Sequence, residues 1–174
     1  MKNLGHRLGA SGTILENTIE GFSKSLDLVS DKRFKYWEFD VRESSDRILL
    51  AFHDDRINVN GKMIEIKELS FEEISNAGTS MTINIPTFKQ IIEALKDRDE
   101  RVMIEIKNVH SDNGRDDLLR SVSGNGNWML MSTPERFIES FPSENRDLWN
   151  IRARDIGVKL VRVGRHRIDL FKAS

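Results

Sequence analysis

Tyr36-Trp37-Glu38-Phe39-Asp40-Val41-Arg42 is the stretch on which the fold turns. Its side chains alternate, so a strand here carries Trp37, Phe39 and Val41 on one face and Glu38, Asp40 and Arg42 on the other. Glu38 and Asp40 then share a face, about 7 Å apart along the chain. In a parallel sheet buried on both faces, such a carboxylate pair needs a cation or strong donors beside it. On an exposed edge strand, the same acids merely alternate with apolar residues. The stretch alone leaves both readings standing.

On either side, short apolar runs alternate with segments of helical period. Residues 4–7 read as a brief strand before a Gly/Ser-rich loop over 9–13. Asn17 with Glu20 reads as a capping box, and Ile19, Phe22, Leu26 and Val29 follow at helical spacing. Residues 48–53 form another strand, and 54–67 a polar excursion. Ser70 with Glu73 caps a short helix that Gly78 ends, and Thr87 with Gln90 opens the next one. Strands are expected over 101–107, 128–131 and 158–163, with a last short one over 167–171. Helices are expected over 116–122 and after Thr133-Pro134.

Strand and helix in alternation make an α/β protein with a parallel sheet and helical crossovers, either a β/α barrel or an open doubly wound sheet. No G-x-G-x-x-G or Walker A sequence marks a nucleotide-binding turn.

The 174 residues suit one domain, residues 1–174. With 38% hydrophobic and 32% charged residues and a net charge of −1, the composition is that of an ordinary soluble protein. It gives no reason to expect nucleic acid as a partner. The absence of cysteine excludes thiolate metal sites and disulfides. The first seven residues lack the apolar core of a signal peptide, and no apolar run nears the roughly 20 residues of a membrane span. The expected location is cytoplasmic.

The chemically capable residues gather at strand ends, where parallel sheets and barrels bind their ligands. They are His6-Arg7, Glu38 with Asp40, His53-Asp54, and Glu105 with Lys107. Three carboxylates without a thiol suit a hard divalent cation, Mg²⁺ or Ca²⁺. His6 and His53 are the candidate acid and base, since histidine titrates nearest neutrality. Arg7 and Lys107 offer positive charge for an anion. His110 and His166 sit in polar stretches without a partner pattern and are expected to be exposed.

In order and spacing, Gly5-His6-Arg7, Glu16-Asn17-Thr18, Glu38-Phe39-Asp40-Val41, His53-Asp54, Ile85-Pro86-Thr87 and Ile104-Glu105-Ile106-Lys107 resemble the signatures of the glycerophosphodiester phosphodiesterases. The resemblance implies a β/α (TIM-type) barrel and a small-molecule glycerophosphodiester substrate hydrolysed to an alcohol and glycerol 3-phosphate. It implies a divalent metal on Glu38, Asp40 and Glu105, and His6 and His53 as general acid and base. Arg7 and Lys107 would lie at the phosphate, with Glu16 and Asn17 lining and bracing the site. Leu8 and Leu15 depart from the family's usual glycine and proline, and the connection over 54–85 is short.

An eight-unit barrel takes ~250 residues, so the barrel is expected to be shortened or incomplete at its C-terminal end. Either the last 40 residues close the gap irregularly, or a second subunit in a homo-oligomer covers it. Two alternatives to the leading activity are a phospholipase-D-like enzyme acting on lysophospholipids and a non-catalytic, barrel-derived binding module.

Overall fold

A computed structural model describes residues 3–162 of the chain. In chain order its elements are α1 (Ile19–Lys24), β1 (Trp37–Glu43), β2 (Leu49–Ala51), β3 (Arg56–Val59), β4 (Lys62–Glu65), α2 (Phe71–Ser80), α3 (Phe88–Leu95), β5 (Val102–Asn108), α4 (Asp112–Val122), β6 (Trp128–Ser132), α5 (Pro134–Ser140), α6 (Ser143–Asp155) and β7 (Lys159–Arg162). Five strands form one sheet in the order β2-β1-β5-β6-β7, and β3 and β4 form a separate hairpin.

β1 is buried along its whole length, which removes the edge-strand reading of its acids. Trp37, Phe39 and Val41 join Val102, Ile104, Ile106 and Leu130 in the main core, beneath Phe88 and Ile91 of α3, Leu118 of α4, Phe137 of α5 and Trp149 of α6. The helices therefore cover one face of the sheet, and Glu38, Asp40 and Glu105 project from the other. β1, β5, β6 and β7 run parallel, with Asp40 paired in register to Glu105.

The 48–53 strand shrinks to β2, which runs antiparallel to β1. Only residues 44–48 join the two, tied by Ser44 N–H to Ile48 C=O, and that is too short for a crossover. Residues 4–7 form turns instead of a strand, because Arg7 and Leu8 adopt left-handed backbone at φ 51° and 58°. The polar excursion contains the β3–β4 hairpin. Its turn is Asn60-Gly61, both at positive φ, an Asn-Gly signal that the hydrophobic pattern did not expose.

The capping boxes at Ser70 and Thr87 form as expected. Helix α2, however, runs through Gly78 to Ser80, and the cap of α1 is Thr18 rather than Asn17. Helix α4 starts earlier than expected, on Ser111 as N-cap. Buried Glu43 accepts hydrogen bonds there from the backbone N–H of His110 (2.6 Å) and Ser111 (2.8 Å) and from the Ser111 hydroxyl. His110 is thus exposed but not partnerless, its Nδ1 lying 3.4 Å from Glu43.

Among the described residues no closed barrel forms; the sheet is open, bounded by β2 and β7. Up to Arg162 the C-terminal part holds the expected helix after Thr133-Pro134 as α5 and the expected strand over 158–163 as β7, with the unexpected helix α6 between them. The expected strand over 167–171 and His166 lie outside the described residues.

Candidate active site

Glu38 and Asp40 are each 1% exposed, and Glu105 is buried beside them. One oxygen from each of the three carboxylates lies within 4.8 Å of the others. The sheet register produces this meeting. Asp40 and Glu105 are paired on adjacent strands, and Glu38 lies two residues before Asp40 on the same face.

Donors surround the trio without saturating it. Arg7 N–H donates to Glu38 Oε2 at 2.8 Å, and Asn17 Nδ2 donates to Asp40 Oδ2 at 2.8 Å. Lys107 Nζ donates to Glu105 Oε1 at 2.6 Å and lies 3.3 Å from Asp40 Oδ1. The Arg7 guanidinium is committed to Glu16, at 2.7 and 2.8 Å from its two oxygens, with Asp40 at 3.8 Å from Nε. Glu38 Oε1 is buried with no hydrogen-bond partner. Burial, reinforced by the charges of Asp40 and Glu105, pushes the Glu38 carboxyl up to about 8.

The residues fit a hard divalent cation. Glu16, Glu38, Asp40 and Glu105 carry four formal negative charges against the two positive charges of Arg7 and Lys107. One buried oxygen is orphaned, and all the donor atoms at the trio are carboxylate oxygens.

The loop carrying His6 is folded back on β1: Glu38 N–H donates to Gly5 C=O, and Leu8 N–H donates to Glu38 C=O at 2.7 Å. Gly5 is required at that approach, since a Cβ there would stand 2.0 Å from Tyr36 O. His6 Nδ1 shares a hydrogen bond with Ser11 Oγ at 2.8 Å, and its Nε2 lies 3.6 Å from Glu38 Oε2. His53 Nδ1 shares one with Asp54 Oδ1 at 2.7 Å. Both imidazoles are 32% exposed, open enough to meet a solute. No hydrogen bond or ion pair links the His53 ring to the three carboxylates.

A network that the sequence reading missed holds the His53 loop. Arg42, next on the acidic face of β1, donates from Nε and Nη2 to His53 C=O at 3.2 and 2.6 Å. Its Nη2 lies 2.8 Å from Asp55 Oδ1, and Arg136 of α5 grips both Asp55 oxygens at 2.7 and 2.9 Å. Arg136 and Arg42 together hold the Asp55 carboxyl below its usual range. Alternation along β1 was the available signal for Arg42; nothing local marks Arg136, 81 residues from Asp55.

Similar proteins share this arrangement's fold. A glycerophosphodiester phosphodiesterase of Caldanaerobacter subterraneus subsp. tengcongensis is 31% identical over an alignment of 113 residues that covers 60% of this chain and 44% of the relative. The chain therefore spans less than half the length of that relative. The crystal structure of glycerophosphodiester phosphodiesterase from Thermotoga maritima superposes at a TM-score of 0.54 and 23% identity, over 85% of this chain and 67% of the other. A candidate enzyme of the same description from Galdieria sulphuraria gives 0.61 and 18%, over 84% and 57%. Residues 6–149, more than half of the chain, match the model of the glycerophosphoryl diester phosphodiesterase family, and the chain belongs to that family.

Proposed function

We propose that the chain hydrolyses glycerophosphodiesters to an alcohol and glycerol 3-phosphate, at a divalent-metal site held by Glu38, Asp40 and Glu105. The observation that carries this reading is the buried carboxylate trio with one orphaned oxygen, flanked by Lys107, Arg7 and His6. A bound Mg²⁺ or Ca²⁺ would supply Lewis-acid charge to the phosphoryl oxygens.

The chain's own groups account for the remaining chemistry. Lys107 and Arg7 offset negative charge that grows on the phosphoryl group in the transition state. Asn17 braces Asp40, and Glu16 holds the Arg7 guanidinium in place. Asp54 at Nδ1 favours the His53 tautomer whose Nε2 lone pair is free to act as a base. Ser11 holds the His6 ring at Nδ1, with a hydroxyl that serves either tautomer. One imidazole takes the proton from the attacking water or hydroxyl while the other protonates the departing alcohol oxygen as its bond to phosphorus breaks. Arg42 reaches the chemistry indirectly, by anchoring the His53 carbonyl.

The test is turnover of glycerophosphocholine and bis(p-nitrophenyl) phosphate with Mg²⁺, Mn²⁺, Ca²⁺ or chelator. Activity should need the cation, and chelator-indifferent rates would remove the metal. His6→Ala and His53→Ala should each lower kcat at least about 100-fold, the usual worth of a general acid or base, with circular dichroism unchanged. Wild-type rates in either variant reject that histidine's role.

A further inference from the structure

His53 stands on a segment that belongs to neither flanking strand. β2 ends at Ala51 and β3 begins at Arg56, so the ladder that fixes Glu38, Asp40 and Glu105 does not reach residues 52–55. Side chains and one backbone contact hold the segment instead. Arg42 donates to His53 C=O, Ile66 N–H donates to Asp55 C=O at 2.9 Å, and two guanidiniums share the Asp55 carboxylate.

The second of those guanidiniums comes from the far half of the chain. Arg136 sits in the first turn of α5, a helix capped by the Thr133 hydroxyl and seated in the main core by Phe137. From there its two Nη atoms meet the two Asp55 oxygens at 2.7 and 2.9 Å, the fork geometry that suits a carboxylate. Nη1 also lies 3.5 Å from Lys107 C=O, so one side chain ties the His53 segment to the strand that carries Glu105. β5 is already fixed by pairing with β1 and β6. The segment that gains order from the tie is therefore the one bearing His53. Folding stability accounts for it poorly, because the Asp55 side chain is 54% exposed and an ion pair open to water adds only modestly.

We propose that Arg136 is a positioning residue for His53: through the Asp55 carboxylate it fixes the segment that presents the imidazole to the phosphodiester. This inference rests on the phosphodiesterase reading and on the role given there to His53. Arg136 acts on no reacting atom itself. It sets how closely the His53 ring keeps the place from which a proton is transferred, and a displacement of about 1 Å can cost about 100-fold in rate. The phosphoryl group is held by other residues, so the effect falls on kcat and spares KM.

The experiment measures kcat and KM for glycerophosphocholine and bis(p-nitrophenyl) phosphate, with Mg²⁺ or Ca²⁺ present. The proteins are the wild type, Arg136→Gln, Arg136→Lys, His53→Ala and the double variant Arg136→Gln with His53→Ala, each with a thermal melt. Arg136→Gln should lower kcat about tenfold or more and leave KM within about twofold. Arg136→Lys keeps the charge without the fork and should fall between Arg136→Gln and the wild type. In the His53→Ala background the same Arg136→Gln change should cost less than about twofold, since the ring it positions is gone. If Arg136→Gln loses its cooperative melt, Arg136→Lys carries the same cycle. An equal loss in both backgrounds, a loss carried by KM, or wild-type rates in Arg136→Gln overturn the positioning role and leave the phosphodiesterase reading intact. No turnover by the wild type overturns both, and wild-type rates in His53→Ala remove the role of His53 together with that of Arg136.

Discussion

Leu8 occupies a place where sequence and backbone disagree. Its φ of 58° is left-handed, costing an L-residue roughly 1–2 kcal/mol. Yet its side chain is fully buried in the main core, where a leucine contributes about 1.5–3 kcal/mol. The larger effect wins, so Leu8→Gly should destabilise by about 1 kcal/mol despite relieving the strain. Leu8→Ala keeps the strain and loses most of the burial, and should fall below the glycine variant by about 1 kcal/mol. Urea midpoints rank the three proteins; an alanine variant more stable than the glycine one would show that the backbone here is unstrained. Neighbouring Arg7 shares the left-handed geometry, which turns its N–H onto Glu38 and its guanidinium onto Glu16.

The start of helix α4 depends on a residue outside the helix. Glu43, the last residue of β1, is completely buried and accepts two backbone N–H groups and one hydroxyl from the turn that opens α4. Gly114 is demanded by the same contact, since a Cβ there would lie 2.6 Å from Glu43 Oε1. Glu43→Ala leaves these half-buried donors without their carboxylate, at roughly 1 kcal/mol each, the low end of the cost of an unpaired group, so a loss of about 3 kcal/mol is expected by urea denaturation. Amide exchange should rise first in α4 and only later in β5. Glu43→Gln preserves shape and one acceptor and should cost less than half as much.

Protonation and cation binding compete at the carboxylate trio, and the contest shapes the stability of the complete protein. In the metal-free chain the Glu38 carboxyl titrates near 8 when folded, against an ordinary value of 4.5. Between those values the folded state holds a proton that the unfolded state has released, so stability falls as pH rises through the window. A bound divalent cation replaces the proton, and it should flatten this slope and raise Tm most at the alkaline end. Saturation at 100 times Kd corresponds to about 2.7 kcal/mol. Thermal melts at pH 5.5 and 7.5, with and without Mg²⁺ or Ca²⁺, measure both effects. Glu38→Gln should abolish the slope without cation and blunt the response to it. A wild-type slope surviving in that variant assigns the proton elsewhere.

Much of the molecule was legible from local pattern. The alternation of residues 36–42, the capping boxes at Ser70 and Thr87 and the apolar runs of β5 and β6 are short-range signals that chain geometry obeys directly. Spaced motifs likewise identified Glu38, Asp40 and Glu105 before their meeting could be measured. Helix α6 was illegible because, among its described side chains, its charged sequence offers only Trp149 and Ala153 to the core. The sheet's open outline, the reversal of β2 and the Arg42–Asp55–Arg136 network depend on which strands pair and which distant side chains then touch. Composition and spacing determine what each segment can become and which chemistry the chain carries. Long-range pairing, set by burial of one sheet face against the helices, determines where the opposite face brings those charges together.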